Sequence, residues 1–433
     1  MIRFIHAADI HLDSLMRGLD TKMADIDPAV FRLSTRKALK NLVDWALAEN
    51  VDFVTLGGDN YDGDWRDHQT GLYFAQQMAR LGSIPVVSIT GNHDAQSKIT
   101  RTLRLPPTFH RLSEETPEIY QVIPGVRVVG QGFKNQSETR NLARGYPDLD
   151  GAGIKIGLLH TSLAGGKRDG HDDYAPCSLD DLRFKHYHFW GLGHIHKQSW
   201  EALKGDVPIL FPGNLQGRHI RETGPKGAYL IKLDDDGSFI SEEFKPLDET
   251  RWEELLVDIG PFQSIDELWP HCEREFKALA EQAGGRVSAV RLRIDGVSRI
   301  HKEILKMQSG AEDALLAELQ NAANMLTPGL IWVEQVQVSS HSSQQIGLAT
   351  HAMRTLNEFI QTTAMTDTWI DEFLNMKELE QLRKQASYFR DADQAEMIGR
   401  LFDKQEVGMM LAVIPELLEV RLNSSGYQKT RES

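Results

Sequence analysis

Asp9-Ile10-His11, Gly58-Asp59-Asn60-Tyr61-Asp62, Gly91-Asn92-His93-Asp94, His160 and Gly193-His194-Ile195-His196 follow one another along the first half of a 433-residue chain. Each offers carboxylate, amide or imidazole donors, and each comes after an apolar run that reads as a buried strand. Asp9, His11, Asp59, Asn92, His160, His194 and His196 are ligands enough for two divalent metals, and mixed donors of this kind suit manganese, iron or zinc better than calcium or copper(I). Such a centre does phosphate-ester chemistry, because it activates a hydroxide near neutral pH and neutralises charge on the phosphoryl oxygens. In an extended segment the two-residue spacing of Asp9 and His11 puts both side chains on one side, where they can grip one ion. His194 and His196 repeat that spacing, and the two oxygens of Asp59 can bridge two ions. His93 is left over: it adjoins Asn92, is not needed as a ligand, and can protonate a leaving alkoxide, with Asp94 or Asp62 to orient it.

The elements that must hold these groups alternate. Residues 2–8 read as a strand, 29–48 as a helix with Leu39, Leu42, Val43 and Leu47 on one face, Val54–Leu56 as a short apolar run, 72–81 as a helix and Ile84–Ile89 as a strand. This is the pattern of an α/β domain, and the motif residues sit where open α/β sheets bind ligands, at the carboxyl ends of the strands. Further strand-like runs at Val126–Val129, Ile154–Leu159, Tyr187–Trp190, Ile209–Phe211 and Ala228–Leu233 predict two packed sheets with helices outside. The character changes between Pro246 and Thr250. The expected organisation is a domain over 1–250, a small α/β cap domain over 251–344 and a helical C-terminal region over 345–433. In the cap, Leu255–Ile259, Val287–Ile294 and Leu330–Val338 read as strands, and 265–283 and 311–325 as helices. From Leu348 to Ile398 there is neither Gly nor Pro, and Met353, Leu356 and Ile360 repeat at helical spacing.

Composition limits the class. At 41% hydrophobic residues, with no run near the roughly 18 apolar residues of a membrane span, the chain reads as a multi-domain globular protein with no membrane partner. Its opening, Met1-Ile2-Arg3-Phe4-Ile5-His6, enters a strand at once without signal-peptide architecture, which makes a cytoplasmic location the expectation. Cys177 and Cys272 show no metal-type spacing and give no disulfide framework. A net charge of −14 weighs against a free-standing nucleic-acid binder, although bound divalent cations or a local basic patch offset it where a phosphate docks. Arg218 and His219, in a Gly-rich turn, are candidates to touch a phosphate flanking the scissile one; a surface ion pair is the equal alternative for Arg218. Tyr61 and Trp65 are candidates either to stack on a splayed base or, equally, to pack in the core.

The order and wording of the five motifs resemble the calcineurin-like metallophosphoesterases. Phe4-Ile5-His6-Ala7-Ala8-Asp9-Ile10-His11-Leu12-Asp13 is similar to the SbcD-type DNA repair exonucleases. Gly58-Asp59-Asn60-Tyr61-Asp62-Gly63-Asp64-Trp65, His160-Thr161-Ser162-Leu163, Tyr174-Ala175-Pro176-Cys177 and Phe211-Pro212-Gly213-Asn214-Leu215-Gln216-Gly217-Arg218-His219 resemble its YhaO-like branch. The likeness covers residues 1–250. It implies a two-sheet αββα metallophosphoesterase sandwich. Asp9, His11, Asp59 and His196 would then hold one metal, and Asp59, Asn92, His160 and His194 the other, most simply Mn(2+), with His93 catalytic. Asp62 stands where some relatives have histidine. The resemblance further implies DNA as substrate, exonuclease and possibly endonuclease action, a coiled-coil ABC-type (SbcC-like) ATPase partner and homodimerisation. Competing expectations are a phosphomonoesterase or cyclic-nucleotide phosphodiesterase, and a non-catalytic scaffold for an ATPase.

Overall fold

A computed structural model of the chain describes residues 1–16, 33–62, 68–96, 103–148, 152–163, 173–202, 207–308, 313–342, 355, 359 and 367–376. Two six-stranded sheets carry the motif residues. The first contains β1 (Ile2–Ala7), β2 (Phe53–Leu56), β3 (Val86–Ser88), β4 (Phe109–Arg111), β11 (Gly227–Leu233) and β12 (Phe239–Pro246), in the order β12-β11-β1-β2-β3-β4. Strands β1 to β4 pair in parallel, and β11 joins β1 and β12 antiparallel. The second contains β5 (Glu118–Ile123), β6 (Val126–Gln131), β7 (Ile154–His160), β8 (Phe189–Gly193), β9 (Ser199–Ala202) and β10 (Ile209–Phe211), in the order β5-β6-β7-β8-β10-β9. Its inner strands β6, β7, β8 and β10 are parallel and its edges antiparallel.

The strands alternate between two environments, as the period of two requires. Phe4 of β1 packs between the sheets with Phe53, Ile156 and Phe189. Its neighbour Ile5 points the other way, onto Leu39, Leu42 and Val43 of helix α1 (Ser34–Glu49) and the cluster containing Phe74 of α2 (His68–Arg80). The outer face of the second sheet is covered by Leu142, Ala143 and Leu182 over Leu159, Trp190 and Phe211. Burial on both faces explains why the central strands read as unbroken apolar runs. The result is the expected αββα sandwich. Strands β4, β5, β9 and β12 are not anticipated by the sequence; in Glu118–Ile123 and Phe239–Pro246 exposed residues alternate with more buried ones, so neither shows an apolar run.

After the sandwich, β13 (Thr250–Asp258), β14 (Val287–Asp295) and β15 (Ile331–Val338) form a third sheet, with Leu268–Gln282, His301–Gln308 and Ala314–Leu326 helical. The helix His301–Gln308 is an addition to the expected elements. The chain packs as two compact units, one of Met1–Leu255, Cys272–Leu292 and Leu316–Val336, the other of Leu256–His271, Arg293–Leu315 and the described residues from Gln337 on. Of the expected helical region over 345–433, Asp367–Leu374 is a helix; Met353, Leu356, Ile360 and everything beyond Met376 lie outside the described residues.

One buried polar link joins the two large sheets just below the motif loops. His6 of β1 is fully buried, and burial pushes its pKa down to about 4. The neutral ring carries one N–H. Its Nδ1 lies 3.0 Å from the Thr55 hydroxyl of β2, and its Nε2 lies 3.0 Å from the Leu192 carbonyl oxygen of β8. The carbonyl can only accept, so Nε2–H donates to it and Nδ1 accepts from Thr55. We predict that His6→Leu, which leaves the Leu192 carbonyl unpaired, lowers unfolding stability by about 1–3 kcal/mol. Urea denaturation checks this; an unchanged midpoint would mean that the link carries no net stabilisation.

Candidate metal centre

The motif residues do not lie on extended backbone. Strand β1 ends at Ala7, and Asp9 and His11 adopt φ of 51° and 44°. Asp59 has φ 52° and His194 has φ 100°. Two-residue spacing on a strand is therefore not what brings Asp9 and His11 together; successive left-handed steps are. For a non-glycine residue each such conformation costs on the order of 1–3 kcal/mol and persists only where surrounding contacts impose it. Those contacts are present. Asp9, His11 and Leu12 donate backbone N–H groups to the carbonyls of Gly58, Asp59 and Asn60 at 3.0, 2.9 and 3.0 Å, zipping the first loop to the second. The buried Asp94 carboxylate accepts from the backbone N–H groups of Gly91, Asn60 and Tyr61 at 3.1, 3.2 and 3.0 Å, tying the third loop to the second. The His194 N–H donates to both Asp9 carboxylate oxygens at 3.0 and 3.1 Å. Gly91 is required by close approach, since a Cβ there would fall 2.3 Å from Asp59 Oδ1.

Three of the imidazoles, those of His11, His160 and His196, are wired in one sense. His11 Nδ1 is 2.6 Å from Asp62 Oδ1, His196 Nδ1 is 2.6 Å from Glu222 Oε1, and His160 Nδ1 is 2.9 Å from the Gly57 carbonyl oxygen. Each of these partners is an acceptor, so each Nδ1 carries the proton and each Nε2 presents a lone pair. Yet the Nε2 atoms face other acceptors. Those of His11 and His196 are 3.2 Å apart; that of His160 is 3.0 Å from Asn92 Oδ1 and 3.5 Å from Asp59 Oδ2. Lone pairs opposed at such distances in a buried site need a cation or an extra proton between them. The donor set fits a divalent transition metal. Among the described residues, ligand atoms within 4.8 Å of one another group as Asp9, His11 and His196; Asp9, Asp59 and His160; and His11, Asp59 and His93. His194 lies edge-on to His160, with ring centroids 5.2 Å apart.

Burial drives the Asp9 carboxyl up to about 8. Burial alone would lower His160, but the Asp59 charge outweighs it and raises the ring to about 9. In return His160 holds Asp59 well below the usual carboxylate range against its own burial. Burial lowers His11 and His196. Burial would raise Asp62 and Glu222, yet the hydrogen bonds to His11 and His196 respectively, together with the Arg218 charge, hold both carboxylates down.

The remaining sequence candidates fall as follows. His93 projects from the short helix α3 (Asn92–Gln96), its side chain 38% exposed and its Nδ1 3.5 Å from Asp62 Oδ1. Asp62 is therefore the carboxylate near His93, while Asp94 braces loops. Arg218 donates toward Asp62 at 3.5 Å and toward Glu222 at 3.3 Å, and His219 Nε2 is 3.4 Å from Glu222. Tyr61 is buried against Phe74, which removes it as a stacking platform, and Trp65 lies outside the described residues. A cavity of about 890 Å³ opens over the centre, lined by Asp59, Asp62, Asn92, His93, His194 and His196 and by the cations Lys197, Arg218, Arg221 and Lys226. Sequence reasoning misses Glu222, which has no motif spacing to its partner 26 residues away.

This wiring couples metal binding to proton loss. A metal must displace the protons held by Asp9 and His160, so affinity should rise with pH, most steeply below about 8, and level off above about 9. Calorimetric titration of Mn²⁺ in buffers of different ionisation enthalpy should register proton release; a pH-independent affinity without it would refute the assignment. Gly91→Ala, by displacing the Asp59 carboxylate, should lower Mn²⁺ affinity about tenfold or more while the circular-dichroism spectrum is retained.

Comparison with known proteins identifies the family. Residues 2–198 match the model of the calcineurin-like phosphoesterases, and residues 252–341 that of the middle domain of the metallophosphoesterase YhaO. The metallophosphoesterase YhaO of Bacillus subtilis is 33% identical over 326 residues, covering 74% of this chain and 77% of that one. The DNA double-strand break repair protein Mre11 of Aeropyrum pernix is 27% identical, covering 61% of this chain and 66% of its own. A component of the nuclease SbcCD of Staphylococcus saprophyticus is 23% identical, covering 59% of this chain and 71% of its own. The chain belongs to the calcineurin-like metallophosphoesterases, in the branch typified by YhaO.

Proposed function

We propose that this phosphoesterase is a DNA phosphodiesterase, acting as an exonuclease and also able to cut internally, with two Mn²⁺ ions as its cofactor. One observation carries the reading: buried imidazole lone pairs and carboxylates converge beneath a cation-lined cavity, with the half-exposed His93 beside them. Asp9, His11, Asp59 and His196 hold one ion, and Asp59, Asn92, His160 and His194 the other. Ions held there would supply Lewis-acid polarisation of the phosphoryl oxygens and a more acidic attacking water. His93 delivers a proton to the leaving oxygen; Asp62 steadies it and keeps the His11 tautomer fixed. Arg218 and His219 face the phosphate next to the scissile one.

DNA is supported by the relatives whose names denote a nuclease and break repair. It is supported too by Lys197, Arg218, Arg221 and Lys226, which put positive charge around the cavity of a chain with a net charge of −14. Residues 1–250 form the nuclease domain in this reading and 251–344 an α/β cap. Residues 345–433 dock a coiled-coil SbcC-like ATPase, and the cytoplasm is the site of action. No described helix is long and apolar enough to cross a membrane.

Incubating the purified protein with end-labelled linear DNA and Mn²⁺ tests the reading. Wild type should degrade the DNA and Asp59→Ala should not, with product lengths separating exonuclease from endonuclease cleavage. His93→Ala should keep its bound metal and lose roughly 10²–10⁴-fold in turnover. Turnover of nitrophenyl phosphate with DNA left intact would overturn the DNA reading in favour of a phosphomonoesterase.

A further inference from the structure

Glu222 belongs to none of the five motifs, yet both of its carboxylate oxygens are engaged at the edge of the centre. Its side chain is 5% exposed. Oε1 takes the His196 Nδ1–H at 2.6 Å and lies 3.3 Å from an Arg218 guanidinium nitrogen and 3.4 Å from His219 Nε2. Oε2 accepts the Arg218 backbone N–H at 2.6 Å and the Asn214 side-chain amide at 2.9 Å. The segment that carries it is itself pinned: the Glu222 N–H donates to the His219 carbonyl at 2.8 Å, and the Lys226 ammonium donates to the His196 carbonyl at 3.1 Å.

These contacts have one consequence for His196. A ring free to choose its tautomer or to flip about its χ2 presents Nε2 to the centre only part of the time. A carboxylate on Nδ1 selects the Nδ1–H tautomer, fixes the ring plane and makes Nε2 more basic. Asp62 does this for His11, whose Nε2 faces that of His196 at 3.2 Å. Each carboxylate thus stands behind its own ring, on Nδ1, and the Arg218 guanidinium lies within 3.5 Å of both.

We propose that Glu222 is the positioning residue for the His196 metal site, and that it also holds Arg218 as the link between the Glu222 and Asp62 carboxylates. The proposal rests on the metallophosphoesterase reading, and the roles are separable: Glu222 touches neither Asn92, His160 nor Asp59 in any contact described, so its loss should affect one of the two ions.

Titration of Mn²⁺ or Co²⁺ into wild type, Glu222→Gln and Glu222→Ala, followed by calorimetry and by the visible spectrum of bound Co²⁺, tests this. Wild type should bind two ions. In Glu222→Ala one site should weaken roughly 10–100-fold, the range for loss of such an outer-sphere carboxylate, with the other unchanged. Glu222→Gln, which retains an acceptor oxygen for His196 Nδ1–H, should lie between. High Mn²⁺ should restore phosphodiester turnover in Glu222→Gln. Equal binding of both ions in Glu222→Gln and wild type, or equal weakening of both sites, would overturn the proposal. If Glu222→Ala has no cooperative thermal transition, the Gln variant alone decides. Should wild type bind no divalent ion, the metal reading itself fails, a result distinct from either.

Discussion

Three imidazoles, each protonated at Nδ1 by the demand of an acceptor behind it, turn their Nε2 lone pairs toward one another and toward buried amide and carboxylate oxygens. A folded protein does not keep opposed lone pairs and two buried carboxylates at contact distance unless positive charge resides among them. In the free protein protons supply part of it, which is why burial raises Asp9 and the Asp59 charge raises His160. A divalent ion supplies it better, since one ion satisfies several donors at once. The donor set therefore calls for a cation, and the scaffold must hold its members in place.

The scaffold does so with backbone as much as with side chains. Asp9, His11, Asp59 and His194 occupy left-handed conformations that isolated residues avoid. Interloop hydrogen bonds hold the first three, and the Asp9 carboxylate holds the N–H of the fourth. Below them His6 couples β1 to β8, so the strands that launch Asp9 and His194 cannot slide independently. Parallel strands buried on both faces anchor all of this, and the dispersion and hydrophobic gains of the two faces offset the local strain. Ligand geometry is inherited from sheet register.

How much of this is legible in the sequence depends on distance along the chain. The αββα sandwich and the motif positions can be read because each is local: an apolar run ends and a donor cluster begins within a few residues. The convergence of Asp9 with His11 follows from their spacing, but for a reason the backbone contradicts, since periodicity cannot register a left-handed φ. For Tyr61 the sequence leaves base stacking and core packing equal, because an aromatic ring serves both; the fold puts the ring in the core beside Phe74. Glu222 is invisible because its role is set by His196, which reaches it only through the fold. Edge strands such as Phe239–Pro246 escape because one-sided burial leaves polar residues at alternate positions.

The same separation between chain and site governs the charge argument. A net charge of −14 describes the average surface, but a phosphate approaching the centre meets the local field. Of the four cations lining the cavity, Arg218 is engaged by Asp62 and Glu222, and the Lys226 ammonium donates to the His196 carbonyl. Lys197 and Arg221 are exposed, and no described ion pair occupies either. The engaged pair is rigid and fixes geometry; the exposed pair is the part of the rim able to follow an anion. Within a Debye length of about 8 Å at physiological salt such rim charges act while the acidic remainder of the surface is screened. An acidic total and a phosphate-accepting cavity are therefore compatible properties of one chain.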